Sequence, residues 1–176
     1  MYNYIIKMED ILKLLEKNIL TNFDIIAICN YLDIKLDGVV MNNEFKFNWL
    51  SKPFSIVVNL EDTDTKGTHW IGYYNDPSTN SIFYMDSFGE VCNAKIYNMI
   101  IRKGTNLYFN KKQFQDMDSE VCGWFAIYFL YIMNKSKNKL NGMVKYLKTF
   151  NYTHYEKNDK IVKQKILQII KRKYKI

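Results

Sequence analysis

Residues 115–125 read Gln115-Asp116-Met117-Asp118-Ser119-Glu120-Val121-Cys122-Gly123-Trp124-Phe125, a polar stretch that passes directly into an apolar one. This change predicts a helix that begins near Cys122 and carries the thiol in its first turn. Unpaired backbone N–H groups and the positive end of the helix dipole stabilise a thiolate at such a position. Gly123, which has no side chain, would leave room for a substrate chain. The stretch therefore predicts a nucleophilic cysteine.

A nucleophile needs a base, and the sequence contains two histidines. His69 precedes a run of aromatic and β-branched residues, and Asp86 ends a second such run beyond a group of turn formers, which predicts a β-hairpin. A loop centred between residues 77 and 78 pairs Tyr74 with Ser81 and His69 with Asp86. Because directly opposed Cβ atoms lie about 4.5 to 5.5 Å apart, the carboxylate can hold one ring nitrogen while the other faces Cys122. Together these residues predict a Cys-His-Asp triad.

The remaining part of such a site is a donor for the oxyanion. The side-chain amide of Gln115 and the backbone N–H of Cys122 are two dipoles that can meet a developing negative charge. Gln113 is a nearby competitor for the same role. Local sequence alone does not separate the two glutamines.

These residues resemble the adenovirus endopeptidase (adenain) family, with the proteases of polinton-like elements, virophages and large DNA viruses, and the SUMO-specific proteases. The sequence Gly67-Thr68-His69-Trp70 is similar to the family's Gly-x-His-Trp, and Tyr84-Met85-Asp86-Ser87-Phe88-Gly89 to its acid-containing strand end. Adenain itself carries Glu in place of Asp86, whereas Asp is common elsewhere in the family.

Two further segments carry the resemblance. Six residues separate Gln115 from Cys122, as in the adenain branch, whereas the SUMO-protease branch usually has five. This spacing favours Gln115 over Gln113. The segment from Leu20-Thr21-Asn22 through Gly38-Val39-Val40-Met41 is similar to the Leu-x-Asn…Gly-Val-Phe segment of polinton and virophage proteases. The resemblance covers roughly Leu20 to Met133, and the tail after Met133 has no counterpart that we identify.

The resemblance implies an α+β fold with a papain-like core, in which helices flank a small central mixed sheet. It also implies a viral maturation protease that cuts capsid and core precursors beside small residues, often glycine. Such an enzyme needs no cofactor or metal and works in the virion and the infected cell, in a cytoplasmic virus factory or the nucleus. Relatives of adenain use DNA as an activating partner, so the resemblance makes DNA one candidate partner here.

Periodicity along the chain predicts the same α+β class. Apolar spacing indicates helices at about 9–18, from about 22, and at 91–101, 122–133, 140–150 and 159–173. Residues 54–60 read as a central buried strand, followed by a polar loop at 61–66, the hairpin and a short strand at 106–110. Strands lie in the middle of the chain and helices at both ends.

Composition favours one compact domain spanning residues 1–176. At 48% hydrophobic, a chain of this length can bury about 70% of its unfolded surface. No two of the three cysteines form a Cys-x-x-Cys pair. Their scattered positions favour free thiols in a reducing compartment over a disulfide framework or a structural zinc site. Early charges argue against a signal peptide, and no apolar run reaches membrane-spanning length. We therefore expect a soluble intracellular monomer with no membrane partner.

The net charge of +7 is concentrated in the last 20 residues or so, where lysines alternate with the apolar residues of an amphipathic helix. One interpretation is a terminal helix that docks by its apolar stripe and leaves its lysines in solvent. The other is a surface that binds a polyanion such as DNA. The stripe consists of Ile161, Val162, Ile166, Ile169 and Ile170.

Other chemistry-bearing residues have structural interpretations. Cys29 is predicted to fill a helix core, Trp70 to pack under the site and His154 to lie at the surface, whereas Cys92 follows Asp86 closely enough to lie near the site. Three other functions remain open: an isopeptidase acting on ubiquitin-like modifiers, an acetyltransferase using the same triad, and a non-enzymatic nucleic-acid-binding module. Substrate cleavage and thioester trapping distinguish the enzymatic ones.

Overall fold

A five-stranded mixed sheet forms the centre of the protein, in a computed structural model that describes residues 8–46, 50–62 and 69–175. The strands lie in chain order across the sheet: β1 (Gly38–Met41), β2 (Phe54–Asn59), β3 (Trp70–Asp76), β4 (Ser81–Met85) and β5 (Asn106–Phe109). The two outer pairs are parallel and the two inner pairs antiparallel. The Gly67-Thr68 half of the histidine motif, most of the predicted loop at 61–66 and the first residues of the chain lie outside the described residues.

Helices flank this sheet, and the predicted α+β class is confirmed. They are α1 (Met8–Glu16), α2 (Asn22–Tyr31), α3 (Ala94–Arg102), α4 (Cys122–Lys135), α5 (Lys139–Leu147) and α6 (Tyr155–Tyr174). Each predicted helix is present, with ends that shift by at most a few residues. The N-cap of α2 is Thr21, whose side chain accepts from the Asp24 N–H while the Asp24 carboxylate accepts from the Thr21 N–H. None of the described helices is long and apolar enough to cross a membrane.

Both faces of the sheet are covered. Along β2, Val57 joins the core that contains α4, whereas Ile56 and Val58 join a smaller core that contains Ile96 of α3. Successive side chains of a strand point to opposite faces, so a strand with apolar residues at consecutive positions needs cover on both sides. The reading of residues 54–60 as a buried central strand is confirmed, since all six residues of β2 are buried.

Helix α4 packs against β3 closely enough to require a glycine. A Cβ atom added at Gly72 would lie 2.7 Å from a ring carbon of Phe129, closer than side chains tolerate. Almost all of α4 is buried, including Trp124, Phe125 and Met133. The helix that begins with Cys122 is thus the central helix of the core and is fixed against the strand that follows His69.

The hairpin register predicted from the sequence is wrong by two residues. Tyr74 pairs with Phe83, not with Ser81. The connection is a short 3-10 helix, Pro77–Thr79, followed by Asn80 in the left-handed region at φ 48°. This turn moves the centre of the loop one position along the chain. A shift of two residues leaves every side chain on its predicted face, because side chains alternate with a period of two.

The C-terminal helix docks by its apolar stripe. Val162, Ile166 and Ile170 are fully buried on α6, and Asn158 donates to the backbone carbonyl of Phe114 at 2.8 Å. Lys163 donates to the carbonyl of Lys17 at 2.9 Å. Most other basic side chains of α6 are exposed. The predicted amphipathic helix is therefore part of the core, with a basic outer face.

Candidate active site

Cys122 is the first residue of α4, where the sequence indicates it. Val121 precedes the helix and provides no side-chain cap, so its side chain does not occupy the N–H groups of Cys122 and Gly123, whereas the Trp124 N–H donates to the Val121 carbonyl at 2.9 Å. The Cys122 side chain is 6% exposed, and its Sγ accepts a hydrogen bond from the Trp70 N–H at 3.4 Å. The start of α4 and the Trp70 N–H therefore both place the positive end of a dipole near the sulfur.

His69 connects Cys122 to Asp86. Its Nε2 lies 2.8 Å from Oδ1 of Asp86, and Cys122 lies close enough to the imidazole to raise its pKa. His69 directly precedes β3 and Asp86 directly follows β4, so the two side chains meet across the open end of the hairpin. The three predicted residues therefore lie together, with His69 in the middle, although the register that first paired them was wrong.

Burial and hydrogen bonding oppose each other at the His69 imidazole. Burial alone lowers its pKa, but the hydrogen bonds and charges of Asp86 and Cys122 outweigh burial and raise the pKa to about 9. These partners therefore favour the protonated form of the ring once it has taken up a proton. A protonated imidazole beside a sulfur is the arrangement that favours a thiolate.

Side chains that the sequence analysis did not single out hold Asp86 and His69 in place. The Phe88 ring stacks on the His69 imidazole, with 4.6 Å between the ring centroids. The backbone N–H of Phe88 donates to Oδ1 of Asp86 at 2.8 Å. The Tyr84 hydroxyl donates to the other carboxylate oxygen at 3.3 Å. Buried Asn110 accepts from the Asp86 N–H at 3.1 Å and donates to its carbonyl. The only signal for Asn110 was that it is the polar last residue of the predicted strand at 106–110.

The Gln115 amide is fully buried and lines the same cleft as Cys122. Its Nε2 donates to the Ser119 carbonyl at 2.8 Å, and its Oε1 accepts from the Ser87 hydroxyl at 2.6 Å. Gln113 is only partly buried, and its Nε2 donates to the backbone carbonyl of Gln115 at 2.8 Å. The structure thus brings Gln115 to the cysteine cleft and uses Gln113 to brace the loop.

Gly123 and Trp70 pack against each other and against Leu20. A Cβ atom at Gly123 would lie 3.2 Å from Leu20 and 3.4 Å from the Trp70 ring. These two residues therefore fill the space that a side chain at position 123 would take. Trp70 Nε1 also donates to the Leu20 carbonyl at 2.9 Å. Trp70 lines the cleft and packs beneath it, whereas Gly123 lets α4 approach its neighbours.

The cysteine lies in a cleft of about 910 Å³. Its lining comes from the start of α2 and the residues before it, from β1 and the turn after it, and from site residues described above. The lining residues are Ile19, Leu20, Thr21, Asn22, Val39, Val40, Met41, Glu44, Asn59, His69, Trp70, Phe88, Gln115, Ser119, Glu120 and Cys122.

The other two cysteines lie away from this cleft. Cys29 is fully buried in α2, and burial raises its pKa to about 12. Cys92 packs in the smaller core on the opposite face of the sheet from α4 and is not among the residues that line the cleft. Burial raises its pKa to about 11. His154 is exposed at the start of α6, as predicted.

Comparison with known proteins agrees with this arrangement. A sequence model of the adenovirus endoprotease matches residues 39–175. The chain belongs to the adenovirus endoprotease family. The match includes α5 and α6, which lie beyond the segment whose resemblance the sequence alone indicated. As a member of this family the chain is a cysteine protease, and the resemblance recognised in its motifs is confirmed.

Solved structures show the same fold. The SUMO protease Ulp1, with its catalytic cysteine oxidised to a sulfinic acid, aligns with a TM-score of 0.50 at 15% identity, over 97% of this chain and 87% of that chain. The ASFV protease aligns with a TM-score of 0.54 at 13% identity, over 87% of this chain and 68% of that chain. No curated protein matches the sequence.

Proposed function

We propose that this member of the adenovirus endoprotease family is a cysteine endopeptidase that cleaves viral capsid or core precursors during virion maturation. Cys122 is the nucleophile, His69 the general base and acid, Asp86 the residue that orients the imidazole, and Gln115 an oxyanion donor. It acts as a monomer in the virion and the infected cell. The observation that carries the proposal is the position of His69, whose Nε2 lies 2.8 Å from Oδ1 of Asp86 and which lines the cleft beside Cys122.

The geometry supports a sequence of proton transfers. His69 takes the thiol proton of Cys122. Asp86, which contacts the Nε2 atom of His69, stabilises the resulting imidazolium. The thiolate attacks the peptide carbonyl, whose oxyanion meets the Cys122 N–H at the helix start and the Gln115 amide. The imidazolium then gives its proton to the leaving amine. Water attacks the thioester with His69 as base, which releases the acid product and restores the thiol.

Burial of the nucleophile supports cleavage beside glycine. Only 6% of Cys122 is exposed, and the aromatic residues Trp70 and Phe88 line the cleft with it. A substrate chain that reaches the sulfur therefore passes between bulky neighbours, and residues without a side chain pass most easily. We propose that glycine precedes the scissile bond.

Incubation with candidate substrates tests this function. The purified protein is mixed with the capsid precursor of the same genome, and new termini are read by mass spectrometry. We expect cuts next to glycine, and replacement of that glycine by valine should block them. Cleavage of ubiquitin-like conjugates but not of the precursor would indicate an isopeptidase. Trapping of an acetyl thioester from acetyl-CoA without any cleavage would indicate an acetyltransferase.

Replacement of Gln115 by alanine is expected to lower kcat by roughly 10² to 10³-fold, or about 2.7 to 4 kcal/mol of transition-state stabilisation, the range seen when another protease loses an oxyanion donor. Gln113→Ala is the matched control and should have a mild effect, because its amide donates to a backbone carbonyl and does not line the cleft. Steady-state kinetics on one peptide substrate compares the two variants. Equal losses would contradict the assignment of Gln115.

The pH dependence of kcat/KM follows from the raised pKa of His69. The imidazolium that protonates the leaving amine is present below a pKa of about 9 and is lost as pH rises through that value. Activity should therefore fall on the alkaline side near pH 9. Asp86→Asn removes partners that raise this pKa, so its alkaline limb should move to lower pH while some activity remains. An unmoved limb in Asp86→Asn would contradict the role of Asp86.

Opposite faces of α6 are expected to respond differently to mutation. Ile166→Asp places a charge at a fully buried position and should lower the free energy of unfolding by on the order of 4 kcal/mol. Reversing the charge of Lys157, Lys160, Lys171 and Arg172, which are exposed, should leave folding intact. Urea unfolding followed by circular dichroism measures both. A stable Ile166→Asp variant would contradict docking through the apolar stripe.

DNA is the proposed partner of the basic outer face of α6. Each phosphate that a lysine neutralises releases condensed counterions, so retention on DNA should weaken as salt rises and should be lost in the charge-reversed variant. The net charge of +7 supports the proposal. Retention that is unchanged by charge reversal, or absent at low salt, would remove DNA as a partner of this face and leave the protease assignment intact.

A further inference from the structure

The orientation of the Gln115 amide is set by two different neighbours. The Ser119 carbonyl can only accept a hydrogen bond, so the amide nitrogen must lie on that side, at 2.8 Å. The amide oxygen then faces the Ser87 hydroxyl, which donates to it at 2.6 Å. Reversal of the amide would bring its oxygen against the Ser119 carbonyl oxygen, and two acceptors repel each other. The pair of contacts therefore selects one orientation.

Ser87 is suited to this role by its burial and its place in the chain. Ser87 and Gln115 are both fully buried, so the hydroxyl is the donor that meets Oε1 away from solvent. The Ser87 carbonyl also accepts from the N–H groups of Phe114 and Gln115, at 2.9 and 3.2 Å. Because Ser87 directly follows Asp86, one short segment connects the residue that orients His69 with Gln115.

We propose that Ser87 is a positioning residue that holds the Gln115 amide ready for the oxyanion. This inference rests on the proposed function, in which Gln115 is an oxyanion donor. One Nε2 hydrogen is bound by the Ser119 carbonyl, and the second is free to meet the developing charge. With Oε1 bound to Ser87, that second hydrogen cannot turn away before the substrate arrives. Such preorganisation is what makes an oxyanion donor effective.

Loss of the hydroxyl should affect the transition state more than substrate binding. In Ser87→Ala the backbone contacts of residue 87 persist, but the Gln115 Oε1 becomes a buried acceptor without a donor. The amide then samples orientations in which Nε2 no longer faces the oxyanion. We expect kcat to fall by roughly ten-fold, from the usual penalty of an unsatisfied buried acceptor, with KM unchanged.

A double-mutant cycle tests this coupling. Ser87→Ala is compared in the wild-type protein and in the Gln115→Ala background, on the same peptide substrate. Ser55→Ala is the matched control, because Ser55 is 2% exposed and its hydroxyl accepts from Asn134 at 3.1 Å outside the cleft lining. We expect Ser87→Ala to lower kcat only when Gln115 is present, and Ser55→Ala to leave kcat unchanged.

Two results would overturn the inference: wild-type kcat in Ser87→Ala, or an equal loss with and without Gln115. If Ser87→Ala does not fold, Ser87→Cys replaces it. A thiol is a weaker donor, so kcat should be reduced, and an unreduced kcat would again overturn the inference. A further measurement, which needs no substrate, is proton exchange of the Gln115 side-chain amide by NMR in the wild-type protein and in Ser87→Ala. Faster exchange in Ser87→Ala supports the inference and unchanged exchange overturns it, even if no precursor is cleaved and the proposed function fails.

Discussion

Cys122→Ala is expected to abolish precursor cleavage, with a loss in kcat of roughly 10⁶-fold, by comparison with the removal of a nucleophile from another protease. The reason is positional. Cys122 alone among the cysteines, all of which lie within the described residues, combines the start of a helix, a backbone donor to sulfur and a place beside His69. The measurement is the single-turnover rate on a peptide with glycine before the scissile bond.

Cys29→Ala and Cys92→Ala are the matched controls and should retain most activity. Both thiols are buried away from the cleft, and burial raises both of their pKa values, to about 12 and about 11. Circular dichroism shows whether each variant folds. An inactive, folded Cys92→Ala beside an active Cys122→Ala would reverse the assignment of the nucleophile.

His69→Ala is expected to approach Cys122→Ala in severity. Removal of the imidazole takes away both the base that activates the thiol and the acid that protonates the leaving amine, and general acid–base catalysis alone contributes roughly 10² to 10⁴-fold. It also leaves Asp86, which is 1% exposed, without its 2.8 Å contact. The measurement is kcat/KM on the same peptide.

His154→Ala is the control for this variant, because His154 is exposed at the N-terminus of α6. It should have wild-type kcat/KM. If His69→Ala kept a substantial fraction of wild-type activity while folded, another group would have to act as the base and the proposed mechanism would be wrong.

Much of the fold could be predicted because local sequence carries it. The apolar run after Cys122 specifies a buried helix, and the β-branched and aromatic runs around residues 54–60 and 70–86 specify strands. The motif residues could be recognised because their order and spacing resemble a known family. These signals are local or short in range, so they do not depend on knowing which elements meet in three dimensions.

The parts that could not be predicted depend on tertiary contacts. Strand β1 has only four residues and forms through its parallel pairing with β2, so its sequence contains little that identifies it. The hairpin register depended on a turn in which Asn80 adopts a left-handed conformation. Ser87 and Asn110 acquire their roles only when the Gln115 loop and the end of β5 approach the Asp86 segment. An isolated serine or asparagine gives no sign of such a contact.

Covalent labelling most directly tests the central claim, that Cys122 is the nucleophile of a cysteine protease that accepts glycine. The intact protein is treated with a peptide vinyl sulfone that presents glycine next to the warhead, and the adduct is located by peptide mapping. We predict one adduct per chain, on Cys122, and its loss in Cys122→Ala. An adduct on Cys29 or Cys92, or an unlabelled protein that still cleaves the precursor, would contradict the account.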